Sequence, residues 1–197
     1  MRAAPFETFT QRMDALVGRE DDPHRIAQAT SLHLAELLRR PEFLEQRYRE
    51  PGEDTYRQHL IHVHPEGRYS VVSLVWLPGQ ATPIHDHRSW CIVGVLAGGE
   101  REERFTLRER GTERWLQPRQ EARYAPGDVC LLVPPDEDIH RVSNAGDGNT
   151  ISLHVYGADI ARWGSSINRT FDELPVRDDA DGMPVSWRAQ ETGATVA

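Results

Sequence analysis

Three histidines in this chain could share one metal ion. His85 and His87 are separated by a single residue. On a β-strand, residues two apart project from the same face, so both imidazoles can reach one cation while Asp86 faces the other way. A third ligand must come from another segment. His140, which follows an apolar run and a proline-rich turn, is the best placed. An isolated His-x-His is often only surface chemistry, so the surrounding pattern has to carry the assignment. A second constellation is Ser152-Leu-His154-Val-Tyr156. Its polar side chains alternate and would share one strand face. A hydroxyl, an imidazole and a phenol in that order can form a relay that orients the Tyr156 hydroxyl; the plain alternative is a solvated strand face.

Short strands are needed to hold both constellations. Tyr69 to Leu77, Ile92 to Leu96, Arg101 to Leu107, Val129 to Val133 and Thr150 to Tyr156 are short runs, mostly apolar and β-branched. Pro78-Gly79, Gly98-Gly99, Pro126-Gly127, Pro134-Pro135 and Asn144-Ala145-Gly146 punctuate them as turns. Many short strands at roughly even spacing predict an antiparallel sandwich or barrel. The first 50 residues read as helical. Phe6, Phe9, Met13, Leu16 and Val17 recur at helical spacing. Asp22-Pro23 marks the start of a second helix carrying Ile26, Ala29, Leu32, Leu34, Leu37 and Leu38. Phe43, Leu44 and Tyr48 suggest a third, short helix. The tail from 176 to 197 has little apolar periodicity, and Trp187 is its candidate for packing back.

Composition sets the outer limits. The chain has 197 residues, 38% hydrophobic and 27% charged, which suits one globular domain over 1–197. A formal net charge of -8 disfavours non-specific binding to nucleic acid or an anionic membrane. Neither a helix-turn-helix nor a basic patch is evident. Cys91 and Cys130 are too few for a disulfide framework, and no apolar run approaches membrane-helix length. A cytoplasmic monomer is the expectation.

The spacing of Gly79, His85, His87, Cys91 and Gly98 resembles the first cupin motif. Gly127, Pro134, His140 and Asn144 resemble the second. The resemblance covers roughly residues 56–156 and implies a mainly β fold, a jelly-roll barrel (core 56–160) behind an N-terminal helical segment (1–50). Two departures stand out. Cys91 occupies the place of the usual glutamate ligand, and Asp136 follows Pro135 where a glycine is usual. Loss of the carboxylate leaves three neutral imidazoles, which keep a divalent ion's charge available to an anionic ligand such as a thiolate.

Together with Pro83-Ile-His85-Asp-His87, the Ser152-x-His154-x-Tyr156 run resembles the cysteine dioxygenase family. Members use iron(II) and dioxygen to oxidise a small thiol to a sulfinic acid. The resemblance implies His85, His87 and His140 as iron ligands, with Tyr156, His154 and Ser152 as the catalytic relay. Where animal-type members carry an arginine shortly after a tyrosine, Tyr56-Arg57-Gln58 places Gln58. That resembles the bacterial subgroup that includes 3-mercaptopropionate dioxygenase. A downstream arginine there takes the substrate carboxylate: Arg169 is preferred here, with Arg162 and Arg57 as alternatives. Cys91 falls where animal-type members crosslink a cysteine to the active-site tyrosine, so a Cys91–Tyr156 thioether is conceivable. The partners implied are a small thiol, L-cysteine or 3-mercaptopropionate, and dioxygen. Rival readings are a cupin isomerase, a dioxygenase of non-thiol substrates, or a non-enzymatic sensor or binding module.

Overall fold

The computed structural model describes residues 4–135 and 138–178; Trp187, most of the 176–197 tail and Asp136 lie outside them. Two helices open the chain, α1 (Ala4–Val17) and α2 (Pro23–Leu38). Asp22 caps α2, its Oδ1 accepting from the backbone N–H of His24 at 2.9 Å and of Arg25 at 3.3 Å. This satisfies donors that the first helical turn cannot pair internally. The segment expected as a third helix forms two short 3-10 turns, Pro41–Phe43 and Gln46–Tyr48. Among the described residues no helix is long and apolar enough to cross a membrane.

Among the described residues ten strands follow: β1 (Arg57–Val63), β2 (Ser70–Trp76), β3 (His85–His87), β4 (Cys91–Ala97), β5 (Glu100–Arg110), β6 (Glu113–Tyr124), β7 (Val129–Leu132), β8 (His140–Asn144), β9 (Thr150–Tyr156) and β10 (Ile167–Thr170). A four-residue helix, α3 (Ile160–Trp163), precedes β10. The strands form two five-stranded sheets, β1-β2-β9-β4-β7 and β10-β3-β8-β5-β6. Every strand pairing is antiparallel. This is the mainly β jelly-roll barrel of cupins behind an N-terminal helical layer.

The central strands of the first sheet, β2, β9 and β4, are buried on both faces because the helices cover their outer side. Val71 and Val75 of β2, Ile92 and Leu96 of β4, and Ile151, Leu153 and Val155 of β9 pack with Phe9, Met13, Leu34 and Leu38. Each such apolar side chain contributes about 1.5–3 kcal/mol on burial. The alternate residues point into the barrel: Val72, Leu74 and Trp76 of β2, Cys91 and Val93 of β4, and Tyr156 of β9. Gly94 lets α2 approach, since a Cβ there would lie 2.8 Å from Leu38 and 2.9 Å from Leu34. Period-two alternation therefore sends Ser152, His154 and Tyr156 to the interior, facing the second sheet.

Candidate metal centre

β3 and β8 are neighbours, and their one register pair is His85 opposite His140. With His87 two residues along, three imidazoles converge from two adjacent strands. Their ring centroids lie 4.7 to 5.0 Å apart. One nitrogen from each ring lies within 4.8 Å of the other two. All three residues are buried.

The outward nitrogen of each ring is already engaged. His85 Nδ1 donates to the Pro83 carbonyl at 2.9 Å, His87 Nδ1 to Asp138 Oδ1 at 2.7 Å, and His140 Nδ1 to Glu102 Oε1 at 2.8 Å. An acceptor on Nδ1 fixes the proton there and leaves Nε2 with its lone pair free, the tautomer a metal ligand needs. His140 Nε2 is buried without a hydrogen-bond partner. A buried ring nitrogen aimed at two others, with nothing to accept from, is what a bound cation would satisfy. The residues therefore fit a metal ion. Among the described residues no carboxylate or thiolate joins the three histidines. Two carboxylates instead stand one hydrogen bond further out.

Burial keeps His85 and His140 neutral. Burial, then the neighbouring imidazoles, hold His85 down to about 2, and burial also lowers His140. Glu102 shows the opposite balance. Burial raises it, but His140 and Arg104 outweigh that and hold it near 2. Its second oxygen accepts from Arg104 Nε and from the Tyr124 hydroxyl, each at 3.0 Å.

The relay residues lie together on β9. Tyr156 Oη is 3.2 Å from His154 Nδ1, and His154 Nε2 is 3.0 Å from Ser152 Oγ. Trp76 Nε1 donates to Ser152 Oγ at 3.2 Å. Burial holds His154 near 3, so it is a neutral imidazole. A narrow cavity bordered by Tyr56, Gln58, Thr82, Tyr156, Ser166 and Ile167 opens onto the three imidazoles. Gln58 is exposed at this rim beside the half-buried Tyr56, whose ring stacks on Trp76 at 4.5 Å. Cys91 is directly opposite Tyr156 in the β4–β9 register, fully buried, and burial pushes its thiol up.

The arginines lie elsewhere. Arg169 pairs with Asp86 across β10 and β3, its Nε 2.8 Å from Asp86 Oδ2. Asp86 faces away from His85 and His87, so this guanidinium sits on the outside of the strand, stacked over Phe171. Arg162 and Arg57 are exposed, and among the described residues no arginine borders the cavity.

Four positions escaped sequence reasoning: Asp138, Glu102, Glu100 and the polar role of Trp76. Glu100 and Glu102 alternate along β5 and are each 2% exposed. Their spacing was the available signal, but it lay inside a run of charges that reads as solvated.

A jelly-roll barrel whose interior brings three imidazoles to one point defines a cupin with a candidate metal centre. Sequence comparison then narrows the class. The family profile described as cysteine dioxygenase type I matches residues 46–163, and the chain belongs to that family. It is 24% identical over 158 residues to cysteine dioxygenase type 1 of Danio rerio, covering 76% of this chain and 75% of that one. With the human enzyme of the same name it shares 26% over 92 residues, 46% of this chain and 45% of the other. Among solved structures it resembles a protein with a double-stranded β-helix domain from Klebsiella pneumoniae, at 18% identity. That match covers 57% of this chain and 80% of that one, with a TM-score of 0.45.

Proposed function

We propose that this protein is an iron(II)-dependent thiol dioxygenase that converts a small carboxylate-bearing thiol, 3-mercaptopropionate or L-cysteine, into its sulfinic acid. The observation that carries the reading is the set of three Nε2 atoms, each freed by an acceptor on Nδ1, with no carboxylate among them from the described residues. His85, His87 and His140 would hold the ion. When bound there, iron(II) supplies open positions for a thiolate and dioxygen and lowers the pKa of the thiol.

The chain's own groups do the rest. Asp138 and Glu102 lock the rings in orientation. Tyr156 presents a hydroxyl at the edge of the cavity, and His154 and Ser152 set the direction of its proton. The narrow apolar walls, Leu74 and Val142 among them, exclude water and bulky thiols. Gln58 and Tyr156 border the space where the carboxylate would sit, and Gln58 favours 3-mercaptopropionate. Arg169 could join them only by leaving Asp86. Arg169→Ala tests that role: an unchanged KM removes Arg169 from the substrate site, whereas a tenfold or larger rise in KM, on the order expected for a lost charged contact, restores it.

The experiment for the function is oxygen uptake by iron-loaded protein given L-cysteine, 3-mercaptopropionate or cysteamine. Uptake with the two carboxylate thiols, most efficient with 3-mercaptopropionate, is expected. Absence of uptake with all three would refute the assignment. His154→Asn should slow turnover with iron content intact; an unchanged rate removes the relay.

A further inference from the structure

Behind the relay stands a carboxyl group that the proposed chemistry has not yet used. Glu100 is the first residue of β5, 2% exposed, and its Oε1 is buried without a hydrogen-bond partner. Its carboxyl meets the Ser152 hydroxyl and the Trp76 indole. We propose that Glu100 is a positioning residue whose protonation sets the direction in which Ser152, His154 and Tyr156 pass their hydrogen bonds, and hence whether Tyr156 donates into the cavity. This rests on the thiol dioxygenase reading for its consequence, but not for its geometry.

Donor and acceptor counting gives the argument. Ser152 Oγ has one proton and two lone pairs. Trp76 N–H, which can only donate, takes one lone pair. If Glu100 is ionised, it can only accept, so the Ser152 proton goes to it. Ser152 then accepts from His154 Nε2–H, and His154 Nδ1 is bare. Tyr156 must donate to Nδ1, and its proton is turned away from the cavity. If Glu100 is protonated, every bond reverses. Glu100 donates to Ser152, Ser152 donates to His154 Nε2, and His154 Nδ1–H donates to Tyr156 Oη. The Tyr156 proton is then free to point into the cavity. The two states differ by one proton. A proton entering at Tyr156 Oη moves the phenol's own proton to Nδ1, the Nε2 proton to Ser152, and the Ser152 proton to Glu100. No atom changes oxidation state and no other reactant is needed.

The surroundings leave Glu100 as the group that changes charge near neutrality. On β5, Glu102 is a carboxylate and repels a second charge, and Arg104 is turned to Glu102. Tyr124 of β6, Cys91 of β4 and Cys130 of β7 are all pushed up by burial and stay neutral. On β8 the register partner is the uncharged Asn144. His154 of β9 stays neutral too, while Trp76 of β2 does not titrate. Burial first, then Glu102, raises Glu100 to about 7 against the pull of Ser152 and Trp76.

Two measurements on the metal-loaded protein test this. Infrared difference spectra across about pH 6 to 8 should show a carboxylic-acid C=O band lost as pH rises in the wild type and absent in Glu100→Gln. Turnover of the best small thiol should fall about tenfold over the same range in the wild type, as a group titrating near 7 requires, and by less than about twofold in Glu100→Gln. Glu100→Leu, which carries no polar group, should lose the limb as well. A wild-type spectrum without a titrating acid band, or a Glu100→Gln profile with the limb intact, would overturn the proposal. If no thiol is oxidised at all, the function fails while the infrared titration still decides the state of Glu100.

Discussion

Replacing Glu102 by Gln should loosen the metal centre without touching a ligand. The carboxylate accepts His140 Nδ1–H on one oxygen, at 2.8 Å, and Arg104 and Tyr124 on the other, each at 3.0 Å. An amide of the same size has only one oxygen. If that oxygen faces His140, the NH2 group confronts two donors, Arg104 and Tyr124. If the NH2 group faces His140, it favours the tautomer with the proton on Nε2, where an ion would bind. Loss of such an outer partner typically weakens metal binding about 10–100-fold, or roughly 1–3 kcal/mol. Arg104, whose side chain is 17% exposed, also loses its counter-charge. Breaking a wholly buried pair costs about 3–5 kcal/mol; partial exposure brings the expectation here to about 1–3 kcal/mol of fold stability. Chelator competition measures the affinity, and thermal unfolding of the metal-free form measures the stability. Glu121→Gln, at an exposed pair with Arg101, serves as the control and should change neither measurement. Glu102→Gln with metal affinity within about twofold of wild type would refute the orienting role.

Three further outcomes follow from particular contacts. Gly94→Val should destabilise the fold by about 1–3 kcal/mol, because its side chain would push into Leu34 and Leu38 of α2; unchanged chemical denaturation would show that the helix moves aside freely. Glu100, raised from the ordinary 4.5 to about 7, makes a contribution that is fully present below about pH 4.5 and lost as pH rises through about 7, worth about 3 kcal/mol at constant metal saturation. Glu100→Gln should flatten that slope in pH-dependent denaturation, and an unchanged slope assigns it to another group. Cys91 and Tyr156 face each other across β4 and β9. A thioether formed during turnover, its two electrons passing to dioxygen, lowers the intact mass by two hydrogens; an unchanged mass after exhaustive turnover removes the crosslink.

Much of the architecture was legible because burial and alternation agree. The strands around Val71, Ile92 and Leu153 announced themselves through apolar residues on both faces. α1 and α2 showed their periodicity, and Asp22-Pro23 marked the start of α2. The three histidines were legible from spacing, since two of them share a short strand and the third begins another. β1, β6 and β10 were harder. β6 is a long, charge-rich strand at a sheet edge that tolerates Pro118, and β10 is mostly exposed, so neither carries a hydrophobic pattern. Glu100 and Glu102 were missed for a related reason. Glu100-Arg-Glu-Glu-Arg reads as a solvated run, and only the pairing of β5 with β8 turns two of its acids inward toward His140 and Ser152. Asp138 sits in no strand, so no periodicity could place it beside His87. Arg169 is an expectation from the family resemblance; the pairing of β10 with β3, which places it on Asp86, depends on tertiary contacts that no local pattern announces.

The most direct test of the account is the fate of isotope-labelled dioxygen. Iron-loaded protein should convert 3-mercaptopropionate or L-cysteine into a sulfinic acid carrying both labelled oxygen atoms, with one dioxygen consumed per thiol. A product that is only disulfide, or that carries a single labelled oxygen, would contradict a thiol dioxygenase built on three imidazoles.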